Sequence, residues 1–244
     1  MTIFMIYYSI SMSNLLEVYH SDNKIRKGVN GDGGYIMIEL EGGYDCYLSC
    51  GVCDEESFSR DFIASYNMNK DDCYAFDGTI HDYPWQYTTN INFVKKNINN
   101  FVDQNNTDLS FVTKKYNNIF LKMDIEGGEY PWLLAVDTWT LQKFKQIVIE
   151  FHGINDDGCR CLLSNKQLCL EKLNTTHYLV HAHGNNNSTQ TGNIPDVLEF
   201  TYVNKKCFSS VPEKNKVPFP IQNLDYPNNP NNMDFVLNTY PFVN

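Results

Sequence analysis

The chain has 244 residues and a formal net charge of −10, with 20% charged and 42% hydrophobic residues. A length of this order buries a full core, so one domain with a C-terminal extension is expected rather than two domains. The acidic balance, without any basic stripe, argues against a general nucleic-acid binder, whose affinity comes from lysine and arginine on phosphates.

Residues 3–10, Ile-Phe-Met-Ile-Tyr-Tyr-Ser-Ile, are apolar. The run is far short of the roughly 20 residues that span a bilayer and lacks the basic flank and small-residue cleavage site of a signal peptide. It reads as a packing arm or first strand of a cytoplasmic protein with no membrane partner. Next, Lys24-Ile-Arg-Lys-Gly28-Val-Asn-Gly31-Asp32-Gly33-Gly34-Tyr35 is dense in glycine, which permits tight turns with positive φ; a hairpin turn is the simplest reading.

From Tyr44 to about Val203, short apolar runs alternate with helical stretches, the pattern of a doubly wound α/β domain. Asp45–Ser49 is the expected first strand and Glu55–Tyr66 the first helix, with Phe58, Phe62, Ile63 and Tyr66 on one face and Glu55 and Glu56 in its first turn. Cys73–Asp77 and Ile91–Lys95 read as the second and third strands, and Asn97–Asp108 as a polar connection. Ile119–Asp124 and Gln146–Phe151 are apolar runs that stop at acidic residues, as buried parallel strands do where they deliver polar side chains to a carboxyl edge. A helix through Trp132, Leu133, Val136 and Trp139 joins them. Tyr178–His183 and Val197–Val203 form a closing pair, with a mobile-looking loop from Gly184 to Pro195 between them.

Beyond Val211 lie six of the nine prolines and no helical or strand period. This segment is expected to run as an extended strap, docked through Phe219, Leu224, Tyr226, Phe235, Leu237 and Phe242 onto its own domain or onto a second copy in a homodimer. The eight cysteines read as free thiols, since a core of this size needs no disulfide framework. Cys50-Gly-Val-Cys53 has zinc-ligand spacing, but no second such pair completes a tetrahedral set.

A nucleoside cofactor in a doubly wound fold needs a glycine after the first strand and an acid after the second for the ribose hydroxyls. Gly51 and Asp77 supply them, 26 residues apart. The turn lacks the Gly-x-Gly-x-x-Gly that cradles a dinucleotide pyrophosphate, which favours adenosylmethionine over NAD. Asp124, Glu126 and Glu129 cluster after the fourth strand. Glu150 and His152 follow on one face of the fifth, since residues two apart on a strand share a face. Such a group serves as proton acceptor for a substrate hydroxyl, or holds Mg²⁺ or another divalent metal through Asp124, Glu150 and His152. A hydrogen-bonded network capping the next helix is the plainer alternative.

Lys122-Met-Asp-Ile-Glu-Gly-Gly-Glu129 and Ile149-Glu-Phe-His152 resemble the FkbM-like family of S-adenosylmethionine-dependent methyltransferases. The glycine turn at Tyr47–Phe58, the corner at Tyr74–Thr79, the glycine-rich Lys24–Tyr35, His181–Asn186 and Pro218–Asn228 are also similar to it, so the resemblance covers residues 24 to about 240. It implies a Rossmann-like, seven-stranded methyltransferase sheet over residues 1–210, with 211–244 as a tail packed on it. Asp32, Gly33, Gly51, Ser57, Asp77, Thr79 and Asp124 are then expected around the cofactor. Tyr35, Glu126, His183, Asn185 and Asn186 are expected around a small-molecule acceptor, a sugar or nucleotide-sugar, with Lys24–Tyr35 as a lid. The expected activity is O-methylation catalysed by Asp124, Glu150 and His152. A non-catalytic adenosylmethionine-binding scaffold and an NAD-dependent oxidoreductase are the alternatives.

Overall fold

The computed structural model describes residues 11–87, 90–159 and 161–244; the apolar arm at 3–10 lies outside them. In chain order, a one-turn helix α1 (Met12–Leu15) precedes an antiparallel hairpin, β1 (Lys24–Lys27) and β2 (Tyr35–Ile38). Then follow β3 (Cys46–Cys50), α2 (Ser57–Tyr66), β4 (Cys73–Phe76), β5 (Asn92–Val94), β6 (Asn97–Ile98), β7 (Asn106–Thr107) and α3 (Ser110–Thr113). The second half runs β8 (Ile119–Met123), α4 (Glu129–Ala135), α5 (Thr138–Leu141), β9 (Phe144–His152), α6 (Leu163–Thr176), β10 (His177–Gly184), β11 (Gln190–Thr191), β12 (Ile194–Pro195) and β13 (Val197–Asn204).

Seven strands form one mixed sheet in the order β10-β13-β9-β8-β3-β4-β5, parallel except for β13, which is antiparallel to both its neighbours. From β3 the sheet grows outward through β4 and β5, then returns to grow from β8 on the other side. The direction of winding therefore switches between β3 and β8, where open α/β sheets bind ligands beyond their carboxyl ends. Every residue of β3 and β8 is buried, as expected of strands covered on both faces.

Alternation along these strands feeds two cores. Cys46, Leu48 and Cys50 of β3 pack with Ile119, Leu121 and Met123 of β8 against α4, α5 and α6, while Tyr47 and Phe120 face Phe58, Phe62 and Ile63 of α2. Ring centroids of Phe62 and Phe120 are 4.3 Å apart, and those of Tyr47 and Phe62 4.6 Å. The hairpin joins the α2 side through Tyr35 and Met37.

Several boundaries differ from the expected ones. Helix α2 starts at Ser57, not Glu55; Glu56 is its N-cap residue, and the Glu55 carboxylate, ahead of it, folds back to accept the Ser57 amide at 2.7 Å. The expected helix through Trp132 to Trp139 is two, broken where Asp137 caps α5 by accepting the Thr140 amide at 2.7 Å; this leaves Trp139 74% exposed. The polar connection at 97–108 contains the parallel pair β6·β7, and the 184–195 loop contains the hairpin β11·β12. Helix α6 was not anticipated.

Residues 211–244 lie along the domain. Phe219, Leu237 and Phe242 are buried in the larger core, and Asn215, also buried, donates to the carbonyls of Val217 and Phe242 at 2.7 and 2.8 Å. No helix among the described residues is long and apolar enough to cross a membrane.

Candidate active site

A cleft of about 740 Å³ opens at the switch point. Its floor is the turn after β3. Gly51 has φ +83°, and a Cβ there would collide with the Asp124 carbonyl oxygen, because the Asp124 amide donates to the Cys50 carbonyl at 2.9 Å and draws the two strand ends together. Only glycine fits this close approach in a left-handed conformation.

Asp77, at the end of β4, clasps that turn. Its Oδ2 accepts the amides of Val52 and Cys53 at 3.1 and 3.0 Å, and its Oδ1 accepts the amide and hydroxyl of Thr79 at 2.7 and 2.6 Å. Burial would raise this carboxyl, but these hydrogen bonds to the charged form outweigh it and hold it below its ordinary value. Beyond the clasp, Asn97, Asn99 and Asn106 of the β6·β7 region line the cleft.

Asp124 and Glu126 line the opposite wall. The Tyr35 hydroxyl donates to Asp124 Oδ2 at 3.0 Å and lies 3.5 Å from Glu150 Oε2. His152 sits among carboxylates: Nε2 is 3.3 Å from Glu126, 3.7 Å from Glu150 and 3.8 Å from Asp124, and Nδ1 is 3.3 Å from Glu129. The Nδ1 contact is an ion-pair approach without hydrogen-bond geometry, so Nδ1 has no hydrogen-bond partner. Burial would lower the imidazole, yet Glu129, Asp124 and Glu126 together raise it above its ordinary value. Glu150 is fully buried, and desolvation followed by repulsion from Asp124 and Glu199 pushes its carboxyl well up, against the Asn185 amide that donates to it at 2.9 Å. One atom each of Asp124, Glu150 and His152 lies within 4.8 Å of the others.

The hairpin roofs the cleft through Asp32, Gly33 and Tyr35. Arg26 anchors its turn by donating to the carbonyls of Val29 and Gly31 at 2.9 and 2.7 Å and ties it to the C-terminal segment at Leu224, 3.3 Å away.

Of the expected site residues, Asp32, Gly33, Tyr35, Gly51, Asp77, Thr79, Asp124 and Glu126 line the cleft, with Glu150, His152 and Asn185 directly behind its wall. Three others sit apart. Ser57 is buried under the hairpin, where its Oγ accepts the Val29 amide at 2.9 Å. His183 is held by Glu199 at 3.1 Å and Asp234 at 3.1 Å. Asn186 donates to the carbonyls of Asn229 and Asn232 at 2.9 and 3.1 Å, fastening the C-terminal segment. Cys50 is buried in β3 while Cys53 is exposed, and neither is bonded to another cysteine.

Lys122 was missed. It lines the cleft, donates to the Gly51 carbonyl at 2.6 Å and lies 5.6 Å from the Tyr35 ring centroid. The available signal was a lysine inside an otherwise apolar strand, where a buried charge demands a partner.

A Rossmann-like sheet with its cleft at the switch point, a glycine turn on one strand and carboxylates on the next defines a class of enzymes that bind a nucleoside-containing small molecule at the sheet edge. Within that class the chain belongs to the methyltransferase FkbM domain family, whose model matches residues 8–200. No curated protein and no solved structure gives a significant match. Family membership identifies a methyltransferase, and adenosylmethionine is the methyl donor this family implies.

Proposed function

We propose that the protein transfers a methyl group from S-adenosylmethionine to an oxygen of a small polar acceptor, a sugar in the first instance. The position of Asp124 supports this reading most. It lines the cleft at the switch point, with its backbone against Gly51 and its Oδ2 oriented by Tyr35 at 3.0 Å. The cleft, about 740 Å³, falls within the roughly 300–1,000 Å³ typical of small-molecule sites.

The methyl donor supplies an electrophilic carbon on a sulfonium. Gly51 would lie along its methionine end, and Asp77 with Thr79 would hold the ribose diol. The Thr79 hydroxyl is the one Asp77 donor able to rotate away and yield its place. Asp124 takes the proton that the acceptor hydroxyl loses as the new carbon–oxygen bond forms. His152 is less suited to that task, because its carboxylate neighbours favour its charged form; it positions Asp124 and Glu126 instead. Tyr35, Glu126 and the Asn185–Glu150 pair would form the acceptor side.

A second reading places a hard divalent cation on Asp124, Glu150 and His152, favoured by the convergence of one ligand atom from each within 4.8 Å. Methyl transfer from labelled adenosylmethionine across a sugar panel, with and without chelator, separates the two. Activity that survives chelation supports proton transfer to Asp124 alone, and activity lost on chelation and restored by Mg²⁺ supports the metal.

A further inference from the structure

The cleft is built against anions. Six carboxylates line it, Asp32, Asp54, Glu55, Asp77, Asp124 and Glu126, against the two lysines Lys96 and Lys122. Each lysine is turned toward a backbone carbonyl, Lys122 donating to that of Gly51 and Lys96 to that of Asp103, both at 2.6 Å. Arg26, at the base of the hairpin roof, directs its guanidinium to three backbone carbonyls and does not line the cleft.

Backbone amides at turns and helix starts are the other common phosphate holders, and here the chain's own carboxylates take five of them. Asp77 takes those of Val52, Cys53 and Thr79, Glu55 takes Ser57 at the start of α2, and Glu129 takes Ile125 at 2.9 Å ahead of α4.

A row of acceptors continues under the roof. Tyr35 spans Asp124 and Glu150, Glu150 pairs in register with Glu199 on β13, and the Asn228 amide donates to Glu199 at 2.7 Å and to Asp32 at 3.2 Å. Those two bonds fix the Asn228 orientation, since a flipped amide would turn its oxygen toward two carboxylates. The carbonyl oxygen of this 7%-exposed side chain is thereby left without a donor. His152 faces Asp124 and Glu150, and His183 faces Glu199, but among the described residues Asp32 has no cation within ion-pair reach.

We propose that the methyl acceptor carries a positively charged amino group, held against Asp32 under the hairpin roof, and that phosphorylated acceptors, nucleotide-sugars included, are excluded. This rests on the methyltransferase reading and narrows it. An ammonium brings a positive charge to the Asp32 carboxylate, which has no cation within ion-pair reach among the described residues, and donors beside the Asn228 amide it accepts at 3.2 Å, whereas a phosphate would meet six carboxylates against two lysines.

The test is ligand-observed NMR on full-length protein saturated with S-adenosylhomocysteine, using three probes of one scaffold: glucosamine, glucose and glucose 6-phosphate. Cofactor saturation is measured first by calorimetry, and its failure sinks the methyltransferase reading itself. With cofactor bound, glucosamine is expected to bind at least about tenfold more tightly than glucose, a difference of about 1.4 kcal/mol, with no binding of the phosphate. Asp32→Asn, assayed at full cofactor occupancy, is expected to abolish the preference for glucosamine. Phosphate binding that equals or exceeds amine binding, or no discrimination among the three probes, overturns the proposal and leaves the methyltransferase reading standing. A preference that persists in Asp32→Asn removes Asp32 from it.

Discussion

Asp124 joins backbone and chemistry at one residue, and the two can be separated by mutation. Asn at this position keeps the size and an oxygen for the Tyr35 hydroxyl but cannot take a proton. Asp124→Asn is therefore expected to lower the single-turnover rate of methyl transfer by about 10²–10⁴-fold, while the melting temperature and cofactor affinity stay close to wild type. Unchanged turnover would remove Asp124 from the chemistry. Gly51→Ala attacks the backbone partner: at φ +83° and against the Asp124 carbonyl, the added methyl is expected to cost more than about 1–3 kcal/mol of stability in denaturant titration. Asp77→Ala removes the clasp of the glycine turn and is expected to weaken cofactor binding by about 1–3 kcal/mol, the scale for hydrogen bonds to a charged group. Calorimetry reads this directly, and an unchanged affinity would leave Asp77 with a purely structural task.

At the scale of elements, the pairing of β13 and β10 with the C-terminal segment is expected to carry a pH dependence. His183 of β10 faces Glu199 of β13 and Asp234 of the segment, with His181 nearby. Burial would lower His183, but these carboxylates raise it from 6.5 to about 10. A group whose folded value is raised stabilises fully below its unfolded value and loses that contribution as pH climbs to the folded one. Stability should thus fall as pH rises from about 6.5 to about 10, and His183→Asn should flatten that slope; equal slopes in the two proteins would contradict the assignment. What the sequence revealed at this scale follows from burial. The runs at Ile119–Met123 and Phe144–His152 were legible because parallel strands covered on both faces need apolar side chains on both. Helix α6 was not, because its buried stripe of Cys169, Leu170 and Leu173 also includes Lys166 and Thr176. The acids of β8 and β9 were visible as the polar ends of apolar runs. Glu199 and Asn228 were not, since their roles arise from contacts 29 and 196 residues apart in sequence, which no local pattern encodes. Ser57 and Asn186 fall within the resembling stretches, and packing engages the Ser57 hydroxyl with the Val29 amide and the Asn186 amide with the carbonyls of Asn229 and Asn232.

For the molecule as a whole, the family match ends at residue 200, yet the chain beyond it contributes Phe219, Leu237 and Phe242 to the main core and Asn228 to the roof of the cleft. Deleting residues 211–244 withdraws three large apolar side chains, each worth about 1.5–3 kcal/mol when fully buried, and is expected to leave a protein that melts early or fails to fold. A truncated protein as stable as the full chain would show this segment to be dispensable. Ligand linkage offers a reading that needs no acceptor: at 100 times its dissociation constant, a ligand bound only to the folded state adds about 2.7 kcal/mol of stability. The most direct measurement is calorimetric titration of the full-length protein with S-adenosylhomocysteine, with NAD as control. Saturable binding of one S-adenosylhomocysteine per chain and no heat with NAD is the expected result. Heat with NAD and none with S-adenosylhomocysteine would contradict the methyltransferase site, and silence with both would leave a fold that has kept its shape as a scaffold and lost its cofactor.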